Sequence, residues 1–185
     1  MSSYGKIVSI VYDTASIVCM AVVTIMVLFT FVFRIAGVIG PSMESTLHEG
    51  DKLLVSAYLK TPKRGDIVII TQPNAFNEPI VKRVIATGGQ EVDIDFNLGY
   101  VYVDGRKIHE PYLKKDIGSI SEFDVSFPLV VPKGKVFVLG DNRNHSTDSR
   151  SSKIGFVDEN YILGKVRGRI APQGHWKVDK ELILQ

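Results

Sequence analysis

Two serines, a threonine and a histidine crowd into GPSMESTLHEGD, residues 40–51. A serine hydroxyl is a weak nucleophile until a neighbouring base takes its proton. Histidine is the usual base, and the chain has four: His48, His109, His145 and His175. Spacing alone does not exclude a Ser-His-Asp triad, because triads are assembled in space. No G-x-S-x-G nucleophile elbow occurs, however. Lysine is the alternative base. Its ordinary pKa of about 10.4 keeps it protonated at neutral pH, and burial among apolar groups lowers that value. Lys82 is placed for this. In PIVKRVIA (79–86), strand alternation puts Ile80, Lys82 and Val84 on one face, and Val81, Arg83 and Ile85 on the other. Read from this segment alone, Lys82 and Arg83 fit a solvated charged pair on an edge strand better than a buried base.

A third polar stretch, GDNRNHSTDSR (140–150), follows the apolar run KVFVL. Alternating Asn142, Asn144, Ser146 and Asp148 suggest a calcium loop. The sixth position lacks glycine and the twelfth is Lys153, so the loop fails on both counts. A long polar turn, or a set of groups holding a neutral lysine in place, remain as readings. The only cysteine, Cys19, lies in an apolar run, so the rest of the chain offers no disulfide and no thiolate ligand. No metal site and no cofactor are expected.

These residues must be positioned by something. From Thr14 to Phe33 the chain runs twenty residues without a charge, TASIVCMAVVTIMVLFTFVF. A helix of that length spans roughly 30 Å, a bilayer core. It shows no polar face, unlike a buried core helix, and Arg34 follows at once where a cleaved signal peptide would carry a small-x-small site. It reads as an uncleaved anchor over 14–34, after a short tail of 1–13. Lys6 and Arg34 flank it, so the positive-inside rule barely decides the topology; the short N-terminal end is placed inside and the large domain outside.

After the anchor the pattern changes to short runs rich in Val, Ile and Tyr between Gly, Pro, Asp and Asn. Segments 66–71, 80–86, 99–110, 134–140 and 164–172 read as strands, with Asp104-Gly105 as a two-residue hairpin turn. The soluble part is therefore mainly antiparallel β, a catalytic domain over 35–175 with a C-terminal tail of 176–185. Residues 93–132 carry the least periodicity and read as a small inserted lobe. IAGVIG (35–40) reads either as a surface dipping toward lipid or as an ordinary buried strand. With 22 Lys+Arg against 20 Asp+Glu there is no basic block, which excludes nucleic acid as partner.

The three stretches, in this order behind an anchor, resemble the type I signal peptidases of the bacterial Ser-Lys kind. The likeness runs from the anchor to about Pro172. GPSMESTLHEGD is similar to that family's serine box, KRGDIVII to its next strand, VKRVIATGG to its lysine box and GDNRNHSTDSR to its last box. The resemblance implies a fold of two antiparallel sheets and a membrane-anchored endopeptidase that removes signal peptides from exported preproteins after a small-x-small motif. It implies Ser42 as nucleophile and Lys82, held neutral, as general base. Ser146 would hydrogen-bond the Lys82 amine, and Asp148 and Arg150 would form an ion pair beside the site. Asp141, Asn142 and Arg143 would be structural. Gly40, Pro41 and Met43 would shape the nucleophile loop, Met43 packing near the lysine stem and the Ser42 N–H serving the oxyanion. Ile80 and Val81 would line the substrate pocket. The implied partners are signal peptides and the lipid bilayer, with the secretion machinery as a further candidate.

The sequence departs from that pattern. Gly40 stands where some relatives carry a serine serving the oxyanion. Ser45 stands where proline is usual, and Thr87-Gly88-Gly89-Gln90 replaces a commoner Pro-Gly-Asp ending. A lost proline and a gained glycine predict looser turns. Ser42 is eight residues beyond Arg34, a tether of at most about 29 Å, which keeps a nucleophile near the membrane surface. Two rivals stand beside this reading: a catalytically silent module of the same fold that holds preproteins, and a self-cleaving Ser-Lys switch of the SOS-repressor type, which shares the catalytic logic but would be soluble and carry a DNA-binding segment.

Overall fold

The computed structural model describes residues 3–57, 61–74, 76–113, 120–121 and 123–171. His175 and the tail expected over 176–185 lie outside them. The chain divides into two units, Met1–Arg34 and Ile35–Gln185. The first is a single helix, α1 (Ser3–Phe31), 29 residues long. It starts earlier than the expected anchor because Ile7, Val8, Ile10 and Val11 extend the apolar character over residues 4–12, leaving Lys6 as the only charge there. The span apolar enough to cross a membrane is Tyr4–Val27, and its large apolar side chains are exposed.

The second unit is the expected mainly β domain of two antiparallel sheets. In chain order the strands are β1 (Phe33–Gly37), β2 (Lys52–Ser56), β3 (Ile67–Ile70), β4 (Ile80–Thr87), β5 (Glu91–Asp95), β6 (Tyr100–Val103), β7 (Arg106–Lys107), β8 (Leu129–Val130), β9 (Lys135–Leu139), β10 (Val157–Asp158) and β11 (Ile162–Ala171). The larger sheet has seven strands in the order β1-β2-β11-β3-β4-β9-β10; the smaller has four, β7-β6-β5-β8. β4 is thus an interior strand, with β3 on one side (Val68 opposite Lys82) and β9 on the other (Arg83 opposite Leu139). That rules out the solvated edge pair: Lys82 is 4% exposed and Arg83 is fully buried.

The larger sheet is apolar on both faces, which is why β3 reads as the unbroken run IVII. Ile67 and Ile69 join a cluster with Met43, Leu47, Leu53 and Val166, while Val68 and Ile70 join another with Val84, Val136 and Val138. A third cluster is shared by the two sheets. Val92, Ile94, Val101 and Val103 of the smaller pack with Ile85, Phe137 and Leu139 of the larger, and Phe127 meets Phe137 edge-on at 5.9 Å. Residues 93–132 therefore carry most of a second sheet built on the common core. β5 went unread because three acids, Glu91, Asp93 and Asp95, interrupt it; they alternate with buried Val92 and Ile94. The Asp104-Gly105 turn is as expected, with φ of 53° and 70°.

Candidate active site

The Ser42 turn is closed at its base by backbone. Val38 N–H donates to Asp51 (2.9 Å) and Gly50 N–H to Val38 (3.0 Å). Gly40 turns the chain with φ of 79°, a left-handed conformation that suits glycine. One helical turn follows, with Leu47 N–H donating to the Met43 carbonyl at 2.8 Å. Met43 and Leu47, both 1% exposed, anchor it in the cluster that also receives Val81, the residue before Lys82. Ser42 is left half-buried at the surface. Among the described residues its N–H has no hydrogen-bond partner, as a donor kept for a developing oxyanion requires.

Lys82 Nζ lies 2.7 Å from Ser42 Oγ. Burial lowers the Lys82 pKa from 10.5 to about 8; Asp148 and Asp141 oppose the fall and Arg150 adds to it. A neutral amine at this distance can accept the serine proton. The described histidines, His48, His109 and His145, are exposed, and none bonds Ser42. Among the described residues, serine with lysine, without histidine, is what the geometry offers.

Gly140–Arg150 braces this pair. Asn142 N–H donates to the Ser42 carbonyl (3.0 Å), and its side chain to the Pro41 carbonyl (3.1 Å). The carboxylate of Asp141 takes Arg83 Nε (2.8 Å) and Nη2 (2.7 Å) and Thr46 Oγ1 (2.5 Å), joining the lysine strand to the serine turn. The arginine is raised despite burial, because of Asp141. Asp148 and Arg150 form the expected ion pair, 2.8 Å apart and fully buried. Asp148 also accepts from Gly140 N–H at 3.0 Å.

Ser146 is placed differently from expectation. No hydrogen bond joins it to Lys82; its hydroxyl is buried and unpartnered among the described residues. Ser146 follows the 3-10 turn Arg143–His145 in extended backbone, and its carbonyl is held by Arg150 at 3.3 Å. This lays the hydroxyl against Gly140, where a Cβ would come within 2.2 Å of it and 2.5 Å of the Ser42 carbonyl oxygen.

The expected loose turns are also tied. Ser45 adopts φ of 84°, which proline cannot, and its hydroxyl donates to the Tyr112 carbonyl at 2.6 Å. Gly88 passes so close to Lys133 Cα and the Pro132 carbonyl (2.9 Å from an added Cβ) that no side chain fits. The Gln90 side-chain oxygen accepts from Thr87 N–H at 3.0 Å.

A cleft of about 410 Å³ contains both Ser42 and Lys82, with Ala36, Ile39, Ile69, Ile80, Val81 and Leu163 among its lining. Ile80 and Val81 stand in its wall beside Lys82. A second cavity of about 540 Å³, lined by Arg64, Arg106, Lys107 and Tyr112 among others, includes neither Ser42 nor Lys82. Thr46, Glu110 and Tyr112 were not singled out from the sequence, and Arg83 was placed only by its face. A buried arginine beside Lys82 demanded a buried acid, and that demand was the available signal.

The described residues hold no group of three or more acids, histidines or cysteines able to bind a metal. The family model described as "Signal peptidase, peptidase S26" matches residues 11–171. Signal peptidase I T of Bacillus subtilis (strain 168) is 38% identical over 155 residues, covering 80% of this chain and 78% of that protein. Signal peptidase I of Bacillus licheniformis is 35% identical over 161 residues, covering 83% and 84%. A solved signal peptidase I from Enterococcus faecalis V583 matches with 30% identity and a TM-score of 0.47, over 58% of this chain and 98% of that one. The chain is an enzyme of the peptidase class, and it belongs to the signal peptidase family, peptidase S26. With its exposed apolar helix it is a membrane-anchored member.

Proposed function

We propose that this protein removes N-terminal signal peptides from exported preproteins, with Ser42 as nucleophile and Lys82 as general base. The observation that carries the reading is the 2.7 Å contact between Ser42 Oγ and a buried Lys82 Nζ whose pKa falls to about 8. At pH 7 about a tenth of such a lysine is neutral, against less than about a thousandth of an ordinary one. The neutral amine takes the Ser42 proton as Oγ attacks the scissile carbonyl. The Ser42 N–H faces the oxyanion. The Lys82 ammonium then returns the proton to the leaving amine, which frees the mature chain. Water, deprotonated by the same lysine, releases the signal peptide from Ser42.

The mainly apolar cleft suits small side chains ahead of the scissile bond, with Ile80 and Val81 in its wall. Gly40, Pro41 and Met43 shape the nucleophile loop. Asp148 and Arg150 hold the last box in place, and Ser146 serves as packing against Gly140 rather than as a partner of Lys82. The domain plan is an anchor helix over residues 3–31 and a catalytic domain from residue 35. The N-terminus is cytoplasmic and the catalytic domain extracytoplasmic, where signal peptides emerge; the bilayer and the secretion machinery are its surroundings. Protease accessibility of the domain in intact cells tests this sidedness.

The direct test is cleavage of a fluorogenic signal-sequence peptide by the full-length protein in detergent. Ser42→Ala and Lys82→Ala each abolish turnover while leaving the fold intact, and Lys82→Arg does not rescue it, since arginine stays charged. Normal cleavage by either alanine variant overturns the pair. Binding without turnover by the wild type would favour the silent module.

A further inference from the structure

We infer that Glu110–Tyr112 forms a brace for the reactive pair, with Tyr112 as a positioning residue that holds the Ser42 turn against the Lys82 strand. The inference rests on the reading of Ser42 and Lys82 as the reacting groups. Tyr112 is engaged at three separate points. Its carbonyl accepts the Ser45 hydroxyl at 2.6 Å, three residues after the nucleophile. Its ring lies under the Arg83 guanidinium, whose Cζ is 3.8 Å from the ring centroid, one residue after the base. Its hydroxyl donates to Glu110 at 2.6 Å. Glu110 is itself held by both terminal nitrogens of the buried Arg143, which lies in the last box. One residue of the chain that leaves the smaller sheet thus reaches the serine turn, the lysine strand and the last box together.

Simple space-filling does not require this arrangement. A core aromatic would do with apolar neighbours, yet Tyr112 sits between two buried arginines and a buried glutamate. The arginine on its face is the one that grips Asp141 through two hydrogen bonds, and Asp141 in turn takes the Thr46 hydroxyl. A cation–π contact away from water is stronger than one at an exposed site. The ring therefore fixes the seat of Arg83. Burial, and then Glu110, keep the phenol protonated far into the alkaline range, so the hydroxyl remains a donor at the pH where Lys82 loses its proton.

The brace acts through position. Misplacing a reacting atom by 1 Å costs about 100-fold in rate. It also acts through charge. Lys82 is faced by Asp148, Asp141 and Arg150, with Arg83 neutralising Asp141. If Arg83 loses its seat, Asp141 is less compensated and the lysine ammonium is favoured, so more alkali is needed to free the base.

The test uses full-length protein in detergent, a signal-sequence peptide substrate and kcat, KM and pH profiles per folded molecule. Tyr112→Leu, which removes the ring from under Arg83, lowers kcat by about 10- to 100-fold with KM within about twofold, and moves the acid limb of the profile to higher pH. Tyr112→Phe keeps the ring and loses only the hydroxyl, and restores most of kcat and the limb. Ser45→Ala, at an exposed position that spares folding, lowers kcat by about three- to tenfold with the limb unchanged. Should Tyr112→Leu not fold, Ser45→Ala decides alone. Unchanged kcat in Ser45→Ala, or a Tyr112→Leu effect confined to KM or to the folded fraction, overturns the brace. Ser42→Ala and Lys82→Ala run alongside: if they cleave normally the reading of the reacting pair fails, whereas if they are dead and the brace variants are normal only this inference fails.

Discussion

Replacing Lys82 with methionine should stabilise the protein while inactivating it. The stem is retained and the amine removed. In the native state the ammonium is disfavoured by burial, so its pKa is about 8 against 10.5 unfolded. The sign follows from proton uptake. Below pH 8 the lysine is charged in both states, and the native state bears the whole cost of the buried charge. Between about 8 and 10.5 the native state releases the proton first, and the cost fades; above 10.5 it is gone. That gap amounts to about 3 kcal/mol at pH 7 and about 1 kcal/mol at pH 10. Against it stands the lost hydrogen bond to Ser42, worth about 1 kcal/mol. Ser42 is half-buried, so water can satisfy its hydroxyl. Lys82→Met should therefore be about 2 kcal/mol more stable than wild type at pH 7, and within about 1 kcal/mol of it at pH 10. Urea unfolding in mild detergent, followed by far-ultraviolet circular dichroism at both pH values, measures this. A variant less stable than wild type at pH 7, or a difference that does not shrink toward pH 10, refutes the claim that the fold disfavours the charged amine.

Three further expectations follow from individual contacts. Asp141→Asn leaves Arg83 charged, buried and half-satisfied, and should cost about 3–5 kcal/mol in urea unfolding. Gly88→Ala drives a Cβ to 2.9 Å from the backbone at Pro132 and Lys133, which should cost about 1–3 kcal/mol in the same assay. Ser45→Pro, a change toward the residue usual at this place in the family, should destabilise the turn and cut kcat by at least about tenfold, because proline cannot adopt φ of 84°; wild-type kcat would show that the turn relaxes freely.

That β4 is an interior strand was not legible in its own segment, which also fitted a solvated edge; alternation did set apolar residues on both sides of Lys82. The Asp104-Gly105 hairpin and the unbroken apolar run of α1 were legible for the same kind of local reason. The helix start was not, since Lys6, within residues 4–12, and Asp13, just after them, break the uncharged run and read as a tail. β5 hid behind its acids, which face outward. Contacts set by tertiary placement were beyond reach. Nothing in GDNRNHSTDSR says that the Ser146 hydroxyl lies against Gly140 without a hydrogen bond to Lys82. The Ser45 hydroxyl replaces the stiffness of a proline with a bond to a residue 67 positions away. Arg83 and Tyr112 meet only when the smaller sheet is laid on the larger.

The central claim is that Lys82, made neutral by its surroundings, is the base for Ser42. The measurement that bears on it most directly is the pH profile of kcat/KM for signal-peptide cleavage by the full-length enzyme. The account predicts a rise through a single ionisation near pH 8, the value to which burial brings Lys82, with activity about tenfold higher at pH 9 than at pH 7. A limb near pH 6–7, as a histidine base would give, or an optimum in mild acid, would contradict it.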